Sequence, residues 1–183
     1  MSGRIARLVV MAAACALVAS IPAQAEPVCN GTLVVAAAET MVTGSICNGS
    51  YTTTQTSNNV RECLQEALSG GIAKLSHTWR FDNVPAGTIS LIYEGNRPNN
   101  ADGDNFKFSG HYYTEEGPYF ILMPGAIINS PLELQGGFQH FTNWDLPYQT
   151  SFYINIRDTA GGTNLDTVNI DYLAVCSESE LLE

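Results

Sequence analysis

The chain has 183 residues, 18 acidic against 8 basic side chains, a formal net charge of −10 and 45% hydrophobic residues. This is long enough for one domain with its own core. So few cations argue against a nucleic-acid or anionic-membrane partner, because phosphate binding needs clustered Lys and Arg, whereas the acidity is compatible with cation binding.

Residues 1–25 read as an export signal. Arg4 and Arg7 form a basic start, Leu8 to Ala19 is apolar, and Ala23-Gln24-Ala25 is an Ala-x-Ala cleavage pattern. The apolar run is shorter than the ~20 residues that a membrane span takes. Cys15 follows Ala12-Ala13-Ala14, which lacks the branched residue expected ahead of a lipoprotein cysteine, so cleavage is favoured over lipidation. No later stretch approaches spanning length, so no membrane insertion is expected and the protein should be secreted or periplasmic. The folded domain is placed at residues 26–176, with 177–183 as a loose acidic tail.

Beyond the signal lie four cysteines, Cys29, Cys47, Cys63 and Cys176. An even number in an exported chain predicts two disulfides. The absence of a Cys-x-x-Cys pair disfavours a zinc ribbon or a thioredoxin-like site. Three pairings are possible; the expected one joins Cys29 to Cys47 as a local clasp and Cys63 to Cys176 as a long-range link.

Hydrophobic alternation with period two is the dominant pattern. In Ala73 to Phe81 it puts Leu75, Trp79 and Phe81 on one face and Lys74, Thr78 and Arg80 on the other. The run Asn83-Val84-Pro85-Ala86-Gly87 is a turn, and Thr88 to Glu94 returns. Further strands are predicted over Asn105–Tyr113, Tyr119–Met123, Phe138–Thr142, Ser151–Arg157 and Thr167–Val175, with weaker ones at Leu33–Ala38 and Val60–Glu66. Val60 to Leu68 alone has a helical alternative, which Gly70-Gly71 ends. With no repeat or linker, this is an all-β antiparallel sandwich of one domain.

Two Asp-rich turns punctuate it, Asn99 to Asn105 and Gly161 to Asp166. Such loops bend tightly, and they also gather carboxylates suited to a hard cation. Asp102 and Asp104 stand at alternate positions in the first and Asp166 closes the second. An EF-hand is excluded, because Gly103 lies between the two Asp and no Glu follows at the required distance. The choice is between cation ligands and plain Asx turns.

From about Asn58 to Val175 the chain resembles the galactose-binding-like and carbohydrate-binding jelly-roll modules of exported bacterial proteins. The resemblance is carried by Leu75-Ser76-His77-Thr78-Trp79-Arg80-Phe81, Val84-Pro85-Ala86-Gly87, Asp102-Gly103-Asp104-Asn105-Phe106-Lys107-Phe108, Ile154-Asn155-Ile156-Arg157-Asp158 and Leu165-Asp166-Thr167-Val168-Asn169-Ile170-Asp171-Tyr172. It implies a jelly roll that acts as a non-catalytic accessory to hydrolases. It also implies a structural calcium between an early-strand Glu and a last-strand Asp, positions matched here by Glu62 and Asp171. The attached hydrolase is missing, and the four cysteines are foreign to the pattern. Asp171 stands within an apolar strand, where a carboxylate needs a cation, an Arg or several N–H donors; Arg61 and Arg80 are the alternatives to calcium.

Phe138 to Tyr148 gathers aromatics. Trp144 and Tyr148, with Asn143 and Asp145 beside them, form either a sugar platform with hydroxyl partners or a core strand running into a loop. No nucleophile, zinc or phosphate-loop motif is present. His77 falls on an apolar face, His111 and His140 lack a nucleophile nearby, and Glu115-Glu116 sits in a turn beside Gly117-Pro118. The expected function is therefore non-catalytic recognition of a glycan or cell-surface component through loops at one end of the sandwich. A structural or protein-interaction module is the alternative.

Overall fold

The computed structural model describes residues 29–99, 103–132 and 139–178, apart from the side chains of residues 139–144. The expected signal over 1–25 lies outside the described residues. The strands in chain order are β1 (Thr32–Val35), β2 (Ala38–Thr43), β3 (Ser45–Asn48), β4 (Glu62–Gln65), β5 (Ala67–Ser69), β6 (Ile72–Lys74), β7 (Ser76–Val84), β8 (Gly87–Asn96), β9 (Phe106–Thr114), β10 (Gly117–Ile128), β11 (Gln139–Leu146), β12 (Thr150–Asp158) and β13 (Thr167–Glu178). A 3₁₀ turn at Thr53–Gln55 precedes β4.

The protein is an all-β antiparallel jelly-roll sandwich of one domain. One sheet runs β11-β8-β13-β4-β3 with β1 also on β13, the other runs β10-β9-β12-β7-β2, and β5-β6 is a separate hairpin. The expected run over Ala73–Phe81 divides into β6 and β7, and its alternation holds: Leu75, Trp79 and Phe81 are buried while Arg80 is exposed. They meet Phe106, Phe108, Phe152, Ile154 and Ile156 from their own sheet and Leu64, Leu91, Val168 and Leu173 from the facing one. Burying each such side chain contributes ~1.5–3 kcal/mol. Gly70 (φ +63°) and Gly71 (φ +81°) close the β5-β6 hairpin, a turn in which both central residues need left-handed backbone.

The disulfides differ from the expected pairing. Cys29 bonds Cys176 and Cys47 bonds Cys63, with Cα atoms 5.7 and 5.2 Å apart. Sheet pairing decides this. Strand β1 lies on β13 with Leu33 opposite Cys176, and β3 lies on β4 with Asn48 opposite Cys63. The predicted tail also starts later: Ser177 and Glu178 extend β13, and Ser177 Oγ donates to Pro85 O at 2.9 Å.

The sheets' outer faces differ. On the six-stranded sheet, Ile92, Ala174 and Cys176 are buried beneath Cys29, Val35 and Tyr172. The five-stranded sheet carries no comparable cover among the described residues.

Candidate functional site

The two Asp-rich loops converge at one end of the sandwich. Asp104 precedes β9, Asp166 precedes β13, and both side chains are fully buried. Asn99 ties the loops together: its Oδ1 accepts Thr167 N–H at 2.9 Å and Thr167 Oγ1 at 2.7 Å. The third member is Glu66, between β4 and β5, which the sequence reading passed over. Its N–H donates to Asp166 O at 3.1 Å, and its Oε2 accepts Asp166 N–H at 2.8 Å. One carboxylate oxygen from each of Glu66, Asp104 and Asp166 lies within 4.8 Å of the others. Burial pushes the Glu66 carboxyl up to about 7; the Asp166 N–H opposes this, and the charges of Asp104, Asp158 and Asp166 add to it. Arg97 secures the same loop by donating to Asp104 O and, at 3.0 Å, to Asn105 Oδ1. Asp102, the remaining residue expected in this loop, lies outside the described residues.

The expected pairing of Glu62 with Asp171 as calcium ligands is corrected. Glu62 points into the core, where its Oε2 accepts Trp79 Nε1–H at 2.8 Å and its Oε1 lies 3.4 Å from His77 Nε2. Glu39 completes this group, 3.3 Å from His77 Nε2 and accepting Tyr51 N–H at 3.1 Å. Burial pushes Glu62 up to about 9, reinforced by its hydrogen bond with Glu39. Burial pushes His77 down to about 4. Glu62 is thus grouped with Glu39 and His77 rather than with Asp171. Asp171 is buried where the β13-β8 register shifts between Ile170 and Tyr172, and it joins neither carboxylate cluster. Arg80, an alternative partner for it, instead pairs with Asp82 at 2.9 Å.

The expected aromatic platform is only partly in view. Asn143 and Trp144 belong to β11, with side chains outside the described part. Asp145 is exposed and accepts Thr88 Oγ1 at 2.6 Å. Tyr148 is exposed, and its hydroxyl donates to Tyr113 O at 3.1 Å. With Tyr119 and Glu116 it borders a depression of about 450 Å³.

A better-built surface covers the open face of the five-stranded sheet, and sequence reasoning missed it. Register aligns Phe120, His111, Tyr153 and Arg80 in one row across β10, β9, β12 and β7. The next row aligns Leu122, Ser109, Asn155 and Thr78. His111 and Tyr153 stack with centroids 4.8 Å apart and planes 9° apart, while Tyr113 stands edge-on to both. Asn155 is held rigidly: its Nδ2 donates to His77 O and Thr78 Oγ1 at 2.9 Å, and its Oδ1 accepts Arg157 Nε–H at 2.7 Å. Burial lowers the His111 pKa, and the Arg157 charge lowers it further. His111, Asn155 and Arg157 line a groove of about 320 Å³ with Ser76, Val42 and Phe120, and Tyr153 stacks on the His111 ring at its side. The available signal was the solvent face of β9 and β12, where Ser109-x-His111-x-Tyr113 and Tyr153-x-Asn155-x-Arg157 put aromatic and amide groups at polar positions.

No protein-family model matches the chain, and no curated protein matches it in sequence. Among solved structures it is similar to the enzymatically active domain of tailspike protein 4 from bacteriophage CBA120, with TM-score 0.38 and 14% identity. The match covers 81% of this chain but 19% of the tailspike chain. The expectation of a non-catalytic module is corrected on this point: a similar solved structure is described as an enzymatically active domain. A likeness this distant assigns no activity to this chain either.

Proposed function

We propose that this domain recognises a glycan outside the cytoplasm, and that it does so on the open face of the five-stranded sheet rather than through the end loops. The observation that carries the reading is the stacked His111–Tyr153 pair beside the Asn155–Arg157 hydrogen-bond pair. A sugar ring presents an apolar C–H face and a rim of hydroxyls. Aromatic rings suit the first and fixed amide and guanidinium groups the second. A ligand of that class also fits a net charge of −10, which disfavours polyphosphate partners. Two disulfides support an oxidising compartment. The resemblance to carbohydrate-binding jelly rolls points the same way.

A protein partner is the second reading, favoured by Phe120, Leu122 and Val42, which are 65, 76 and 67% exposed along the groove's margin. Glycan-array screening followed by affinity electrophoresis separates the two. Tyr153→Ala and Asn155→Ala should each weaken glycan retention tenfold or more, about 1.4 kcal/mol, with thermal melts confirming that the variants fold. No retained glycan, or retention indifferent to both substitutions, would sink the proposal.

A further inference from the structure

We propose that Glu66, Asp104 and Asp166 form a binding site for a hard divalent cation, specifically Ca²⁺, at the end of the sandwich where the two Asp-rich loops meet. The proposal is independent of the glycan reading. Three observations support it. The donor set is all carboxylate oxygen, which suits a hard cation rather than a thiophilic one. The three oxygens lie within 4.8 Å of one another, and ligands sharing one Ca²⁺ at 2.3–2.6 Å lie at most about 5 Å apart. Third, Glu66 is only 1% exposed, and its Oε1 is fully buried with no hydrogen-bond partner among the described residues.

That last oxygen is the strongest argument. Its sister Oε2 is held by Asp166 N–H, which fixes the carboxylate against Asp166 and leaves Oε1 in the acidic cluster. A buried carboxylate oxygen without a donor is costly. The nearby charges of Asp104, Asp158 and Asp166 add like-charge repulsion on the same carboxyl. A divalent ion reverses the sign of every one of these interactions at once. The loops are also held in place independently of any ion, by Asn99 across the pair and by Arg97 on the Asp104 backbone. Ca²⁺ tolerates irregular geometry and completes its 6–8 ligands with backbone carbonyls and water, whereas Mg²⁺ demands a tighter octahedron.

The test is isothermal titration of CaCl₂ and of MgCl₂ into the chelator-stripped full chain, with thermal melts in each salt and in chelator. Ca²⁺ should bind and raise the midpoint by several degrees, and Mg²⁺ should do so at least tenfold more weakly. Glu66→Gln should weaken Ca²⁺ binding at least tenfold and yet melt above the wild type in chelator, because it removes a buried charge. That crossing shows the variant to be folded, and Asp104→Asn provides a second ligand deletion. Absence of a calorimetric or thermal response up to millimolar Ca²⁺ overturns the proposal. So does a Ca²⁺ response retained in both variants, and an equal response to Mg²⁺ overturns the assignment to calcium.

Discussion

Glu62→Gln should remove most of the loss of stability that the wild-type protein suffers between pH 7 and 9. In the fold Glu62 titrates at about 9, against an ordinary value of 4.5. Between those values the folded chain keeps a proton that the unfolded chain has released, so stability falls as pH rises. His77 acts in the opposite sense. Its pKa falls from 6.5 to about 4, so stability rises with pH through that interval and His77 adds nothing above it. Glu66, raised to about 7, contributes to the fall mainly below that pH and only about 0.4 kcal/mol above it. Tyr93 and Tyr112 are raised from 10, so they act above the window. The main contributor between pH 7 and 9 is Glu62, with a slope of about 1.4 kcal/mol per pH unit that halves by pH 9, or about 2 kcal/mol in all. Gln keeps an oxygen that can accept Trp79 Nε1–H, so the variant should fold. Urea unfolding followed by Trp fluorescence in chelator, at half-unit pH steps, measures the slope. If Glu62→Gln retains the wild-type slope between pH 7 and 9, the buried acid is not its source.

Peptide mapping without reduction should recover Cys29 linked to Cys176 and Cys47 linked to Cys63; the converse pairs would contradict the sheet register. Replacing Cys47 and Cys63 together by Ser should lower unfolding free energy by about 3 kcal/mol, given a separation of 16 residues; denaturant titration reads the change. Gly95→Ala should cost about 1–3 kcal/mol or more by the same titration, because a Cβ there would run into Asn169 O on the neighbouring strand. An unchanged midpoint would mean that β8 and β13 can separate locally at no cost.

The strands that crossed the core were legible because burial on one face writes period two into the chain, as at Leu75, Trp79 and Phe81. Strands β2, β3 and β5 were not, and β6 was read only as the start of β7. They are only three to six residues long, and none carries more than one fully buried side chain, so too little alternation accumulates to mark them. Non-locality hid the disulfides: nothing local indicates that β1 lies on β13. Asp104 and Asp166 stood out within their loops, but Glu66 did not. It follows a strand as an ordinary acid in Gln65-Glu66-Ala67, and only the fold brings it to Asp166. The His77 reading was correct about its face, yet its acidic neighbours Glu39 and Glu62 come from two other strands.

The place of the groove follows from how the two sheets are covered. A sandwich buries two inner faces and leaves two outer ones. Here the outer face of the six-stranded sheet is partly closed by the N-terminal segment, drawn across by the Cys29–Cys176 bond so that Ile92 and Ala174 are buried. The outer face of β9, β12 and β7 has no such cover among the described residues, and on an ordinary solvated face Thr, Lys and Glu would suffice. Instead it carries rings at 111, 113, 120 and 153, and an amide at 155 that is 6% exposed and fixed by hydrogen bonds. Each ordered aromatic and amide on an open sheet forgoes side-chain entropy without enlarging the core. The internal stacking and hydrogen bonds offset part of that cost, and a covering partner would offset the rest, which is why the proposed recognition surface is placed on the five-stranded sheet.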